Sequence, residues 1–345
     1  MKAMVLREFD RPLSLEQVPD PKPSPEEVVV RVKACGVCYT DVKVSKGQVA
    51  ATRLPHILGH EIAGDVVEVG GSVKDVKIGD RCLVYEYLSC GECIYCQSGR
   101  ENQCIHLLQR EGLGRLGLDK PGGYAEYVKA PARCVALIPD GVSYEAAGIA
   151  ADAIATPYHA IRDNGHLVPG SKVMTIGAGG LGIHGAQIAR HFGGEVLALD
   201  IDDAKLNLAR GLGVDRTANP ADEDIPAIVR EWTNGLGCDN VFDFTGTPDT
   251  LGLALKCLKN VGELVIVGYT YGEDFRHPIQ QLISREITII GCRASTFRDQ
   301  REAMELLADE AVKPVIDKVF PLEQANEVLE ELKTKGFMGR AVLVP

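Results

Sequence analysis

Cys90, Cys93, Cys96 and Cys104 follow the spacing C-x2-C-x2-C-x7-C. Four thiolates in one short lobe can close a tetrahedron around zinc at about 2.3 Å per bond. Such a site leaves no ligand position for a substrate, so the lobe is expected to be structural. A redox dithiol is the rival reading, but redox C-x-x-C motifs open a helix beside a strand. An iron–sulfur cluster stays open on ligand type.

A second chemical signal lies near the middle of the chain. Val173-Met174-Thr175-Ile176 runs into Gly177-Ala178-Gly179-Gly180-Leu181-Gly182, the pattern strand, G-x-G-x-x-G, helix. The first glycine permits a tight turn, the second lets backbone approach a pyrophosphate, and the third lets helix and strand pack closely. The phosphates would face free N–H groups at a helix start. A second apolar run ends at Asp200. An acidic side chain there accepts from an adenosine ribose and repels a 2′-phosphate, which points to NAD rather than NADP. The bland alternative for Asp200 is a turn residue at a strand end.

The elements that must position these residues follow from periodicity. The first third is β-rich, with strand candidates at 28–32, 63–69, 81–84 and 124–129, punctuated by Pro19, Pro21, Pro23 and Pro25. From Val173 the rhythm alternates: strands at 173–176, 196–199, 240–244, 264–267 and 287–290, with helices at 180–192, 204–212 and 251–258 between them. Alternating strand and helix implies an α/β fold with a doubly wound parallel sheet. Helices at 298–307 and 322–332 and strands at 316–320 and 340–344 complete the chain.

Composition narrows the rest. At 345 residues the chain suits about two domains. Lys plus Arg is 37 against 48 for Asp plus Glu, a net charge of −11, which argues against nucleic acid or anionic membrane as partner. No apolar stretch reaches the roughly 18 residues of a membrane span. The N-terminus carries Arg7, Glu8, Asp10 and Arg11 and no apolar signal segment. Eleven cysteines, an odd count, make a poor disulfide framework and fit a reducing cytoplasm.

Two further strings complete a pattern: Cys35-Gly36-Val37-Cys38-Tyr39-Thr40-Asp41, then Leu58-Gly59-His60-Glu61. With the cysteine lobe, the glycine turn, Asp200 and Gly339-Arg340, in this order and over essentially the whole chain, they resemble the zinc-dependent alcohol dehydrogenase family of the medium-chain dehydrogenase/reductase superfamily. The resemblance implies a β-rich, GroES-like catalytic domain at 1–155 and 294–345, with its structural zinc lobe at 88–106. It implies a Rossmann domain at 156–293, two zinc ions per chain, NAD, and reversible oxidation of an alcohol to an aldehyde or ketone by hydride transfer. Cys38 and His60 would be catalytic zinc ligands.

The family's third ligand is usually a cysteine, and Asp152 stands in its place in Asp152-Ala153-Ile154-Ala155-Thr156-Pro157-Tyr158. A carboxylate also binds zinc well. In the polyol branch of the family the Glu of Gly-His-Glu ligates, so Glu61 is the alternative, as metal ligand or as neighbour of one. Asp41 would orient His60, or cap a helix. Thr40 would take the alcohol proton. Lys43 stands where the family often ends the proton relay in a histidine, and an ordinary lysine is already protonated at neutral pH. Lys205 would reach the adenosine ribose, Arg340 the pyrophosphate, and Thr156 the nicotinamide. Tyr39, Ile57, Tyr85, Glu86 and Tyr87 would be pocket or core. A homotetramer is expected, with a homodimer as alternative. The zinc-free reductases of the superfamily lack the cysteine lobe and the Cys38/His60 pair. A non-catalytic zinc or NAD-binding protein would be expected to have lost a ligand.

Overall fold

The computed structural model describes residues 1–334 and 336–345. The chain divides into two compact units. One comprises Met1–Ala155, Ser295–Asp309 and Ile316–Pro345; the other comprises Thr156–Ala294 and Glu310–Val315. None of the described helices is long and apolar enough to cross a membrane.

The first unit is built on a seven-stranded sheet. Its long central strand, Glu27–Val37, pairs antiparallel with Glu61–Val69, Tyr127–Pro131 and Arg340–Val344. Val28, Val30, Val32 and Ala34 are buried along this strand, as β-branched and small apolar residues favour. Register then does the positioning. Gly36 lies opposite Glu61, and Val37 lies opposite Ala341. Cys38 follows directly on Val37, and Arg340 directly precedes Ala341. Three residues far apart in sequence therefore meet at one end of the sheet.

A short helix, Tyr39–Ser45, follows Cys38. The helix Tyr144–Ile149, capped by the Ser143 side chain, runs into a π-helical stretch, Ala150–Ile154, with Asp152 at its centre. Such π turns occur disproportionately at functional sites. Nothing in the alanine-rich sequence there distinguishes it from ordinary helix.

The second unit carries a six-stranded sheet in the order Arg216–Ala218, Glu195–Leu199, Lys172–Ile176, Cys238–Asp243, Leu258–Ile266 and Thr288–Gly291. All its pairings are parallel. Numbered along the chain, the order is 3-2-1-4-5-6, the Rossmann arrangement, and ligands bind where that order reverses. The glycine turn leaves the first strand at that point. The three-residue edge strand Arg216–Ala218 and the helices Ile225–Trp232 and Ile279–Arg285 were not expected from periodicity; the strand is too short to alternate. The expected strand at 124–129 is displaced to Tyr127–Pro131.

Residues 310–315 were expected with the catalytic domain and belong to the second unit. Side chains of the helix Gly182–His191 hold them there. The Gln187 amide exchanges hydrogen bonds with Lys313 backbone at 2.9 and 3.1 Å, and Val315 N–H donates to His184 Nε2 at 2.9 Å.

The glycines of the turn have separable roles. Gly177 has φ 88°, a left-handed conformation that favours glycine. A Cβ on Gly182 would sit 1.8 Å from the Gly177 carbonyl oxygen. Among the described residues no atom lies within 4 Å of a Cβ built on Gly179, so the protein's own packing does not require glycine there. Gly182→Ala is therefore expected to lower thermal stability by about 1–3 kcal/mol through overpacking. Gly179→Ala should leave the melting temperature in place yet weaken NAD binding. Calorimetry beside an NAD titration checks both.

Candidate active site

The four cysteines of the lobe bring their sulfurs within 4.8 Å of one another. Cys90 and Cys96 are 3.8 Å apart, and Cys93 and Cys96 are 3.5 Å apart. A tetrahedron of zinc–sulfur bonds requires about 3.8 Å between sulfurs, so the residues fit the ion. Backbone donors also face the sulfurs: Cys93 N–H donates to Cys90 Sγ at 3.4 Å, and Cys90 N–H to Cys104 Sγ at 3.5 Å. Hydrogen bonding from Cys96 backbone leads the causes that bring the Cys93 thiol down to about 6, which favours the thiolate that binds metal.

A second cluster forms where the central sheet of the first unit ends. Cys38, His60, Glu61 and Asp152 place one ligand atom each within 4.8 Å of the others. Asp152 Oδ2 is 3.3 Å from Cys38 Sγ and 4.0 Å from His60 Nε2. Sulfur, nitrogen and oxygen ligands of one zinc lie about 3.4–3.6 Å apart, so these spacings bracket the requirement. The donor set of thiolate, imidazole and carboxylate suits zinc.

Glu61 lies deeper than Asp152. It is fully buried, and Arg340 Nη2 reaches its Oε1 at 2.9 Å. That contact is an ion pair without hydrogen-bond alignment, since neither Glu61 oxygen has an aligned donor among the described residues. The same Nη2 donates to Asp152 Oδ2 at 2.6 Å and lies 3.5 Å from Cys38 Sγ. Burial first, opposed by Arg340, holds the Glu61 carboxyl well above the usual range. Gly36 makes room for it: a Cβ there would fall 1.9 Å from Glu61 Oε2.

Asp41 ties the cluster to the helix beside it. Its Oδ2 accepts from Cys38 N–H at 2.9 Å and from the Tyr124 hydroxyl at 3.1 Å. Its Oδ1 accepts from Gly59 N–H at 3.3 Å and faces His60 Nδ1 at 3.4 Å. The last contact is at ion-pair range without full hydrogen-bond alignment. Of the two alternatives weighed for Asp41, the helix cap is present, and the carboxylate faces the His60 ring at ion-pair range.

Family patterns agree with this layout. The pattern described as Alcohol dehydrogenase GroES-like domain matches residues 24–140, and that described as Zinc-binding dehydrogenase matches residues 180–309. The chain belongs to the zinc-type alcohol dehydrogenase family. An alcohol dehydrogenase of Geobacillus stearothermophilus is 37% identical over 99% of both chains. An NAD-dependent alcohol dehydrogenase of Sulfolobus acidocaldarius is 36% identical over 99% of both. The solved alcohol dehydrogenase of Aeropyrum pernix superposes with a TM-score of 0.91 at 32% identity, covering all of both chains.

The remaining expected residues of this alcohol dehydrogenase relative divide between the units. In the first, Thr40 is half-buried, with its hydroxyl 3.6 Å from Cys38 Sγ. Lys43 is buried, and burial, opposed by Cys38, lowers its pKa below the lysine norm. Arg340, expected at the pyrophosphate, instead lies buried against Asp152 and Glu61, because a buried guanidinium is drawn to adjacent buried carboxylates. Tyr85 is core: its hydroxyl donates to the Ser295 carbonyl at 2.9 Å. Ile57 and Tyr87 are buried, whereas Tyr39 is exposed. In the second unit, Asp200 accepts from Ala178 N–H at 2.7 Å and from Asp202 N–H at 3.0 Å, bracing the glycine turn. Lys205 is half-buried on the helix Asp203–Gly211, and Thr156 is buried. Gly180 and Leu181 lie in the turn before the helix Gly182–His191.

Asp41→Ala would strand three buried donors, costing about 1–3 kcal/mol each. It is also expected to weaken metal binding at Cys38 by about 10–100-fold while leaving the lobe's zinc in place. Competition with a chelating dye checks the affinity, and thermal unfolding the stability.

Proposed function

We propose that this protein catalyses the NAD-dependent, reversible oxidation of an alcohol to an aldehyde or ketone, with Cys38, His60 and Asp152 holding a catalytic zinc. The observation that carries the reading is the meeting of these three ligands, with Thr40 beside them. Zinc supplies Lewis acidity that lowers the pKa of an alcohol hydroxyl. The chain's own residues do the rest. Asp41 fixes the helix start and faces the His60 ring. Thr40 accepts the alcohol proton at its hydroxyl oxygen while its own hydroxyl proton passes onward through the ribose hydroxyls of NAD to solvent. Gly177, Gly179, Gly180, Leu181 and Gly182 accept the pyrophosphate, and Asp200 and Lys205 the adenosine ribose. Thr156 lies toward the nicotinamide. Arg340 balances the charge of the Asp152 and Glu61 carboxylates. Cys90, Cys93, Cys96 and Cys104 hold the second, structural zinc.

Asp152 is favoured as third ligand because its oxygen faces both Cys38 and His60 and the residue keeps partial exposure, whereas Glu61 is sealed behind it. The polyol-type reading, with Glu61 on the metal, draws support from its place in the same cluster.

We also propose a homotetramer in the cytoplasm. The outer strand Thr288–Gly291 ends its sheet with exposed residues, and Tyr269, Tyr271, Ile279, Ile283 and Ile289 are exposed in the same unit. Uncovered edge strands and apolar patches invite a second chain. Eleven cysteines, all free thiols, fit a reducing compartment.

The purified protein is expected to hold about two zinc ions per chain and to form NADH with a panel of alcohols. One zinc with no turnover would overturn the reading. Asp152→Ala is expected to lose one zinc and the activity. Glu61→Ala is expected to keep both ions and lose stability, because Arg340 loses a buried partner. Metal analysis and NADH absorbance decide between the ligands, since full metal in Asp152→Ala would transfer the role to Glu61.

A further inference from the structure

Gln300 is a fully buried amide that none of the roles above uses. It sits near the start of the helix Phe297–Ala308, which packs against the π-helical stretch carrying Asp152. Its Nε2 donates to the Ala151 carbonyl at 2.8 Å and to Glu86 Oε2 at 2.9 Å. A backbone carbonyl only accepts, so the amide is fixed with its nitrogen toward both partners. Its oxygen has no donor among the described residues. A buried amide with its oxygen unpaired costs stability relative to an apolar residue of similar volume. Core packing alone therefore does not account for a glutamine here.

The bonded carbonyl lies one residue before Asp152. In this stretch Ala155 N–H reaches back five residues to the Ala150 carbonyl, the wide spacing of a π turn, which is far rarer than α-helix. A carbonyl has two lone pairs, so Ala151 can serve the helix and the Gln300 amide together. The helix bearing Gln300 is itself pinned at its start. The Thr296 side chain accepts from Asp299 N–H at 3.2 Å, and Phe297 N–H donates to Glu101 of the cysteine lobe. The amide thus bears from a fixed helix on the backbone that turns the Asp152 carboxylate toward Cys38 and His60. Metal–ligand distances tolerate only about 0.2 Å of error, so that backbone has to be held.

We propose that Gln300 is a positioning residue for the catalytic metal: through the Ala151 carbonyl it holds the π turn that aims Asp152 at the ion. Without the amide donor the turn is free to relax toward ordinary helix. One residue of helical register is about 100° of rotation, which swings Asp152 away from Cys38 and His60. The inference rests on the reading of Asp152 as the third zinc ligand.

Gln300→Met keeps the length and volume of the side chain and loses the donor. For the test, mild chelation empties the Cys38 site while the lobe keeps its zinc, and cobalt(II) is titrated in as a coloured probe of ligand geometry. Gln300→Met is expected to bind cobalt about 10–100-fold more weakly than the wild type. Its visible bands should be displaced from those of the wild type, with the zinc content of the lobe unchanged. Gln300→Leu repeats the titration if the methionine variant does not fold. Wild-type affinity and bands in either variant overturn the proposal. A lower melting temperature with unchanged bands also overturns it, since a merely structural amide would give that result. Full metal in Asp152→Ala overturns it by moving the ligand role to Glu61. A wild-type protein that takes up no cobalt beside the zinc of the lobe overturns the catalytic-metal reading and this proposal together.

Discussion

A crowd of acids around one guanidinium governs the catalytic end of the first unit. Cys38, Glu61 and Asp152 bring three anion-forming groups together, and Arg340 Nη2 touches all three. Unneutralised charges in a buried site repel one another and lose hydration, so such a cluster persists only around positive charge. Arg340 supplies one charge, and a divalent ion held by the cluster would supply the rest. Surrounding features serve this cluster. Gly36 clears space for Glu61, the antiparallel register delivers Arg340 beside Cys38, and a π-helical turn carries Asp152. Asp41 then fixes the backbone at Cys38 and at Gly59, next to His60.

The second unit handles anions differently. Its phosphate-facing turn relies on backbone geometry rather than side-chain cations, which suits a chain with a net charge of −11. Gly182 is demanded by the chain's own packing, while Gly179 is left open, the arrangement expected where a ligand supplies the missing contact. Asp200 braces the turn through Ala178 N–H, so the carboxylate proposed to read the ribose also shapes the glycine turn. His184 and Gln187 on the following helix retain residues 310–315 in this unit.

Asp152 in the place of the usual cysteine and Glu86 nearby make this site more oxygen-rich than the family pattern. Gln300 links the two regions by bonding both Glu86 and the Ala151 carbonyl. The lobe of Cys90, Cys93, Cys96 and Cys104 is a closed unit whose sulfurs already stand at zinc spacing.

Local spacing determined by itself what is local. The lobe cysteines lie within one short stretch, so their count and intervals sufficed to pair them with a structural metal. The glycine turn was equally legible, because one turn and one helix start carry its whole mechanism. Alternating apolar runs marked the parallel sheet, although the edge strand Arg216–Ala218 was too short to register. Tertiary structure alone decided the long-range matters. It set Arg340 against Glu61 and Asp152, since sheet register is not encoded near any of them. It turned Asp152 on a π-helical stretch that alanines do not announce. It lowered Lys43's pKa through burial, and it joined Glu86 to Gln300 across more than two hundred residues. Burial and pairing are properties of the folded neighbourhood, and they decide which charges a site keeps.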